Sequence, residues 1–143
     1  MSFQSFPKHS KAITSKSKLD RTLWDLTSKI ARITDARNRG DGEYVACISC
    51  GKVDHWKNMD AGHFISRRFK ATKFHLDNIH CQCRNCNFYR TQQQLEQSFV
   101  IDRIHGDGAA ERLYNLSRMK CKLTDEWYEN EIELAREKLK KLL

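Results

Sequence analysis

Cys47-Ile48-Ser49-Cys50 and Cys83-Arg84-Asn85-Cys86-Asn87 bracket the stretch that decides the fold. Each pair has the Cys-x-x-Cys spacing of a tight turn whose two sulfurs point the same way, and 32 residues lie between the pairs. Two such turns can supply four thiolates to one tetrahedral zinc, leaving no position open for water, so the ion would be structural. The competing reading, four unrelated buried thiols, needs two such spacings to coincide by chance. Cys81-Gln82-Cys83 is too closely spaced for the knuckle turn, so Cys81 reads as an ordinary thiol, as does Cys121.

Outward from the cysteines the chain reads as short strands and then helices. A strand over 43–48 feeds the first pair; two more, over 60–65 and 74–81, are joined by a basic loop over 66–73. From Asn87 the pattern turns helical, with Leu95, Phe99 and Ile104 expected in the core, until Gly106-Asp107-Gly108 breaks it. Upstream, Leu19, Leu23, Leu26, Ile30 and Ile33 recur at steps of four and three, one apolar stripe on a helix that runs to Arg39 and ends at Gly40-Asp41-Gly42. Ser17-Lys18-Leu19-Asp20 resembles its capping box. Downstream, a short helix over 109–118 precedes a last helix capped by Thr124, with Asp125 and Glu126 in its first turn. Tyr128, Ile132, Ala135, Leu139 and Leu142 give that helix one apolar face. Trp24, Trp56 and Trp127 read as packing residues. The expectation is an α+β protein: a disordered basic arm over 1–16, then one domain over 17–143 with an N-terminal helix (17–39), a zinc-stapled core (43–105) and C-terminal helices (109–143).

Composition narrows the partner. The chain has 143 residues and a net charge of +8. Residues 1–39 hold nine Lys/Arg against three acids, whereas residues 107–143 hold eight of each. Cationic excess gathered in one segment points to a polyanion such as nucleic acid. No apolar run approaches the length of a membrane span. The polar N-terminus lacks the apolar core of a secretory signal. A cytoplasmic protein with reduced thiols is the expectation, with no membrane partner.

Between and after the cysteine pairs stand Asp60-Ala61-Gly62-His63 and Asn78-Ile79-His80-Cys81-Gln82-Cys83-Arg84-Asn85-Cys86-Asn87. Here the sequence resembles the zinc-knuckle members of the HNH, or ββα-metal, nuclease superfamily. In these a histidine ends a first strand, and an asparagine lies five residues before the first cysteine of the second pair. A metal-binding residue directly follows that pair's second cysteine and opens a helix. The longer stretch Asp60-Ala61-Gly62-His63-Phe64-Ile65-Ser66-Arg67, with Ile101-Asp102-Arg103-Ile104-His105-Gly106-Asp107-Gly108 and the Lys-rich last helix, is similar to the phage NinG/Rap recombination endonucleases. The likeness runs from about Leu19 to the C-terminus. It implies a metal-dependent endonuclease acting on branched DNA, such as a Holliday junction or D-loop, in the host cytoplasm.

The resemblance implies roles residue by residue. His63 is the base that activates water, Asn78 holds the hairpin that orients it, and Asn87 binds a catalytic Mg²⁺ or Mn²⁺; Arg67 completes the catalytic set. Arg67, Arg68, Lys70 and Lys73 are expected to bind the DNA backbone. Many HNH enzymes carry a metal-binding Asp directly before the histidine, a position held here by Gly62. Asp60, on the same strand face as Gly62, or His80 is therefore expected to complete the ion's ligands. A two-fold homodimer, built on the apolar helix faces, would suit cleavage of two symmetric strands. The rival reading is a non-catalytic zinc-stabilised module that binds nucleic acid; it would have no use for His63 and Asn87 together.

Overall fold

The computed structural model describes residues 14–89 and 93–143. Among these residues six α-helices and four short strands follow in the order α1 (Ser15–Arg39), β1 (Tyr44–Ala46), β2 (Val53–His55), β3 (Asp60–His63), α2 (Lys70–Lys73), β4 (Ile79–Gln82), α3 (Arg84–Tyr89), α4 (Gln94–His105), α5 (Ala109–Ser117) and α6 (Asp125–Leu142). This is an α+β arrangement of two antiparallel hairpins, β1–β2 and β3–β4, set among helices.

The N-terminal helix starts earlier than its sequence suggests. Thr14 caps it, its hydroxyl accepting from Ser17 N at 3.1 Å, so Ser17 lies inside α1 and residues 14–16 belong to the helix rather than to an arm. The remainder of the expected arm, residues 1–13, lies outside the described residues. The stripe on α1 and the apolar face of α6 meet each other. Leu23, Tyr128 and Ile132 are buried with Leu123, and Leu19, Leu26, Trp127 and Ala135 pack against them. Both stripes are thus spent within one chain, and each fully buried aliphatic side chain contributes about 1.5–3 kcal/mol.

The first hairpin, missed by the strand patterning on its β2 side, pairs Val45 with Asp54. Val53-Asp54-His55 is too short and too polar to show alternation. Its turn carries the first cysteine pair: Cys47 N donates to Lys52 O at 2.8 Å and Gly51 N to Cys47 O at 2.9 Å. Gly51 sits at φ +81°, which favours glycine. The second hairpin pairs Asp60 with Gln82, Gly62 with His80 and His63 with Ile79. Ile48 N donates to Cys81 O at 3.0 Å and links the two hairpins. Asp35 fastens α1 to both. It accepts from Cys81 N at 2.8 Å and pairs with Arg39, which in turn donates to Ala46 O.

Two further expectations fail for local reasons. The strand expected over 74–81 begins only at Ile79, because His75 accepts from Asp77 N and Asn78 N donates back to His75 O, closing a 3-10 turn. The face of α4 that packs inward is set by Ile101, fully buried, with Val100 and Ile104 beside it. Leu95 and Phe99 instead point outward, 72% and 59% exposed.

Candidate functional site

The four cysteines of the two knuckle turns converge. Their sulfurs all lie within 4.8 Å of one another. The Cys50 and Cys83 sulfurs are 3.8 Å apart, close to the edge of about 3.8 Å of a tetrahedron with Zn–S bonds of about 2.3 Å. Backbone amides point at the sulfurs: Cys83 N donates to Cys47 Sγ at 3.2 Å and Cys86 N to Cys83 Sγ at 3.5 Å. Burial raises the Cys47 thiol pKa, but the amides of Cys50, Cys83 and Ser49 outweigh it and bring it down to about 7. Burial and the neighbouring sulfurs push Cys86 the other way. Four thiolates this close repel one another without a cation among them, so the donor set fits a structural zinc. Cys81 lies apart, its sulfur turned to Arg32 O, and Cys121 is exposed.

Next to this cluster β3, the loop that follows it, α1, α3 and the end of α5 enclose a cleft of about 940 Å³. His63, Asp60, Asn87, Arg67 and Arg68 line it. So do Trp24, Ser28 and Arg32, four residues apart on one face of α1, and Arg118 after α5. Among the described residues the lining holds six cations, Arg32, Lys57, Arg67, Arg68, Arg84 and Arg118, against a single carboxylate, Asp60. Such a wall attracts a polyanion.

His63 is held from two sides. Its ring stacks on Trp24, centroids 4.7 Å apart at 21°, and its Nε2–H donates to Lys73 O at 2.8 Å. A carbonyl can only accept, so Nε2 carries the proton and the neutral ring keeps its lone pair on Nδ1. Burial depresses the imidazole pKa below the ordinary histidine value, and the charges of Lys73 and Arg67 depress it further against the hydrogen bond to Lys73. His63 is therefore a neutral imidazole at pH 7 with a defined basic nitrogen.

Asn78 acts through the backbone. It is fully buried, accepts from Ile65 N at 2.7 Å, and donates to Ile65 O at 3.0 Å and Thr72 O at 3.1 Å. It thus closes the segment between β3 and β4 and fixes the carbonyl after Thr72, that of Lys73, on which the His63 ring hangs. Asn87 falls within α3, which opens three residues earlier at Arg84, so it lies inside that helix rather than at its start. Its amide donates to Asp60 Oδ2 at 3.1 Å, and Arg84 lies 3.5 Å from the other carboxylate oxygen.

Three residues expected at the site lie elsewhere. His80 does not line the cleft. It is buried and meets His105 Nε2 at 2.9 Å, far from any role as a ligand in the cleft. Lys73 is engaged by Asp20 of α1 at 2.8 Å, and Asp20 also accepts from Tyr128 of α6. Lys70 does not line the cleft. Gly62 has a steric reason: a Cβ there would come within 2.9 Å of the Gln82 Cβ.

Sequence reasoning missed Trp24, Arg32, Lys57, Arg84 and Arg118. For the first two a signal was present, because Trp24, Ser28 and Arg32 recur every fourth residue beside the apolar stripe of α1. Arg118 carries none, since it reaches the cleft only through the packing of α5.

Fold and site define an α+β protein in which four cysteines are placed to bind a metal ion beside a cation-lined cleft. The family model described as "Bacteriophage Lambda NinG protein" matches residues 4–143, and the chain belongs to this phage NinG family. No curated protein and no solved structure matches it. Among the described residues no helix is long and apolar enough to cross a membrane.

Proposed function

We propose that this chain is a metal-dependent DNA endonuclease of the ββα-metal (HNH) type that hydrolyses phosphodiester bonds in branched recombination intermediates. The observation that carries the reading is that one cation-lined cleft holds a neutral, tautomer-defined imidazole together with the Asp60–Asn87 pair. The order β3, β4, α3, with the cysteine cluster at the helix start, supports this reading.

In this reading His63 Nδ1 takes a proton from the attacking water while Lys73 O and Trp24 keep the ring from turning. The arginines of the cleft bind the phosphates on either side of the cut, and the water attacks to leave a 5′-phosphate and a 3′-hydroxyl. Asp60 and Asn87 fit a hard divalent cation, one carboxylate and one amide oxygen beside a phosphate being a usual Mg²⁺ environment. A bound Mg²⁺ or Mn²⁺ would neutralise the scissile phosphate and stabilise the leaving oxygen. Cutting two symmetric strands calls for two chains related by a two-fold axis. Their contact would lie outside the α1 and α6 stripes, which already face each other.

The test is cleavage of linear and four-way DNA with Mg²⁺ or Mn²⁺ by wild type and His63→Ala. Wild type should cut, and the variant should lose about 10²–10⁴-fold in rate, the range of a general base, while still binding DNA and melting cooperatively. Equal rates would remove His63 as the base. Binding without cutting by either protein would leave a zinc-stabilised nucleic-acid-binding module. Light scattering on the DNA complex tests the dimer, and a one-to-one complex counts against it.

A further inference from the structure

Phe88 and Tyr89 end α3 with their side chains 65% and 82% exposed. The rings touch only each other among the described aromatic residues, with centroids 6.4 Å apart at 46°. Two adjacent exposed aromatics do not help the fold. The one side chain α3 buries is Cys86, on the metal cluster. Their place is specific: Phe88 lines the cleft, directly after Asn87 and one turn after Arg84, which is itself 78% exposed. A phosphate held at Asn87 would bring the nucleotide attached to it against these rings. Bases inside an intact duplex are stacked on each other and cannot reach them. An unpaired base can, and aromatic rings interleaved with arginines are the usual surface for single-stranded nucleotides.

We propose that Phe88 and Tyr89 form a stacking platform for an unpaired nucleobase beside the phosphate held in the cleft, making them the residues by which the site distinguishes opened DNA from intact duplex. This rests on the reading of the cleft as a DNA site. The purine or pyrimidine face is recognised without hydrogen bonds, so the platform tolerates any base.

The experiment uses the full zinc-loaded chain with no added Mg²⁺ or Mn²⁺. The probes are a duplex carrying one unpaired 2-aminopurine and the same duplex fully paired. Wild type should bind the unpaired probe more tightly and quench its fluorescence. In Phe88→Ala/Tyr89→Ala the ratio of the two affinities should fall about five- to hundredfold, the range seen when a stacking aromatic is removed, with the quenching lost. Phe88→Trp should restore both. Both side chains are exposed, so the double variant keeps its melting temperature. An unchanged ratio, or an equal loss on both probes, overturns the platform. Wild type that prefers the unpaired probe but cuts nothing once Mg²⁺ is added would sink the nuclease reading and leave the platform standing.

Discussion

Replacing Asn78 with alanine tests how the site is held, because its contribution can be worked from the contacts. The side chain is fully buried and makes three hydrogen bonds, to Ile65 N, Ile65 O and Thr72 O. Thr72 O keeps a second partner in His75 N at 3.1 Å, so its loss is small. Ile65 N–H and C=O, by contrast, are left unsatisfied in the interior, where each orphaned group costs about 1–3 kcal/mol. With the small void left by truncation, Asn78→Ala should destabilise the protein by about 3–5 kcal/mol, or a fall of roughly 10 °C or more in Tm for a chain of this size. Asn78→Asp is the sharper variant. It keeps the shape and the acceptor for Ile65 N, but faces two carbonyl oxygens with an oxygen that cannot donate when ionised, so its loss should be similar. Urea melts of the zinc-loaded protein measure both. In whichever variant stays folded, His63 should lose its fixed orientation, and cleavage should drop by about tenfold or more. A loss under about 1 kcal/mol for Asn78→Ala would refute the reasoning, because the loop would then be held by something other than this amide.

Metal removal should be more drastic. Structural zinc supplies about 10–16 kcal/mol of folding free energy in small domains, so a chelator or Cys47→Ser should abolish cooperative melting, whereas Cys121→Ser should leave it and the bound zinc untouched; metal analysis finding no zinc in the wild type would count against the site. Burial depresses the His80 pKa to about 4. The native ring stays neutral while the unfolded one protonates, so the stability it supports is complete above pH 6.5 and drains away as pH falls towards 4. The loss is on the order of 3 kcal/mol. His80→Gln should flatten the difference between urea melts at pH 7 and pH 4.5 relative to wild type, and parallel curves would contradict this. Gly62→Asp, which places a side chain against Gln82, should destabilise by about 1–3 kcal/mol, and Gln82→Ala should recover only part of the loss, because it removes Oε1 and Cδ but keeps the Cβ; a Gly62→Asp protein that melts like wild type would show that the strand has room there.

The resemblance of their motif made His63, Asn78 and Asn87 candidates, and sequence alone determined the α+β class, the four thiols that gather and the presence of the long helices. These rest on short-range constraints. A Cys-x-x-Cys turn defines its own geometry, and apolar steps of three and four can satisfy only a helix. Tertiary structure decided which side chains meet in the cleft. Trp24 and Arg32 reach the cleft from a helix ending eight residues before the first cysteine, and Arg118 arrives from far downstream. Packing set His80 against His105 instead of in the cleft, and an ion pair with Asp20 withdrew Lys73 while its carbonyl became the support of the imidazole. A charge or a ring carries no mark in sequence of which distant surface it will be packed against, because that depends on how helices of similar apolar pattern settle on one another.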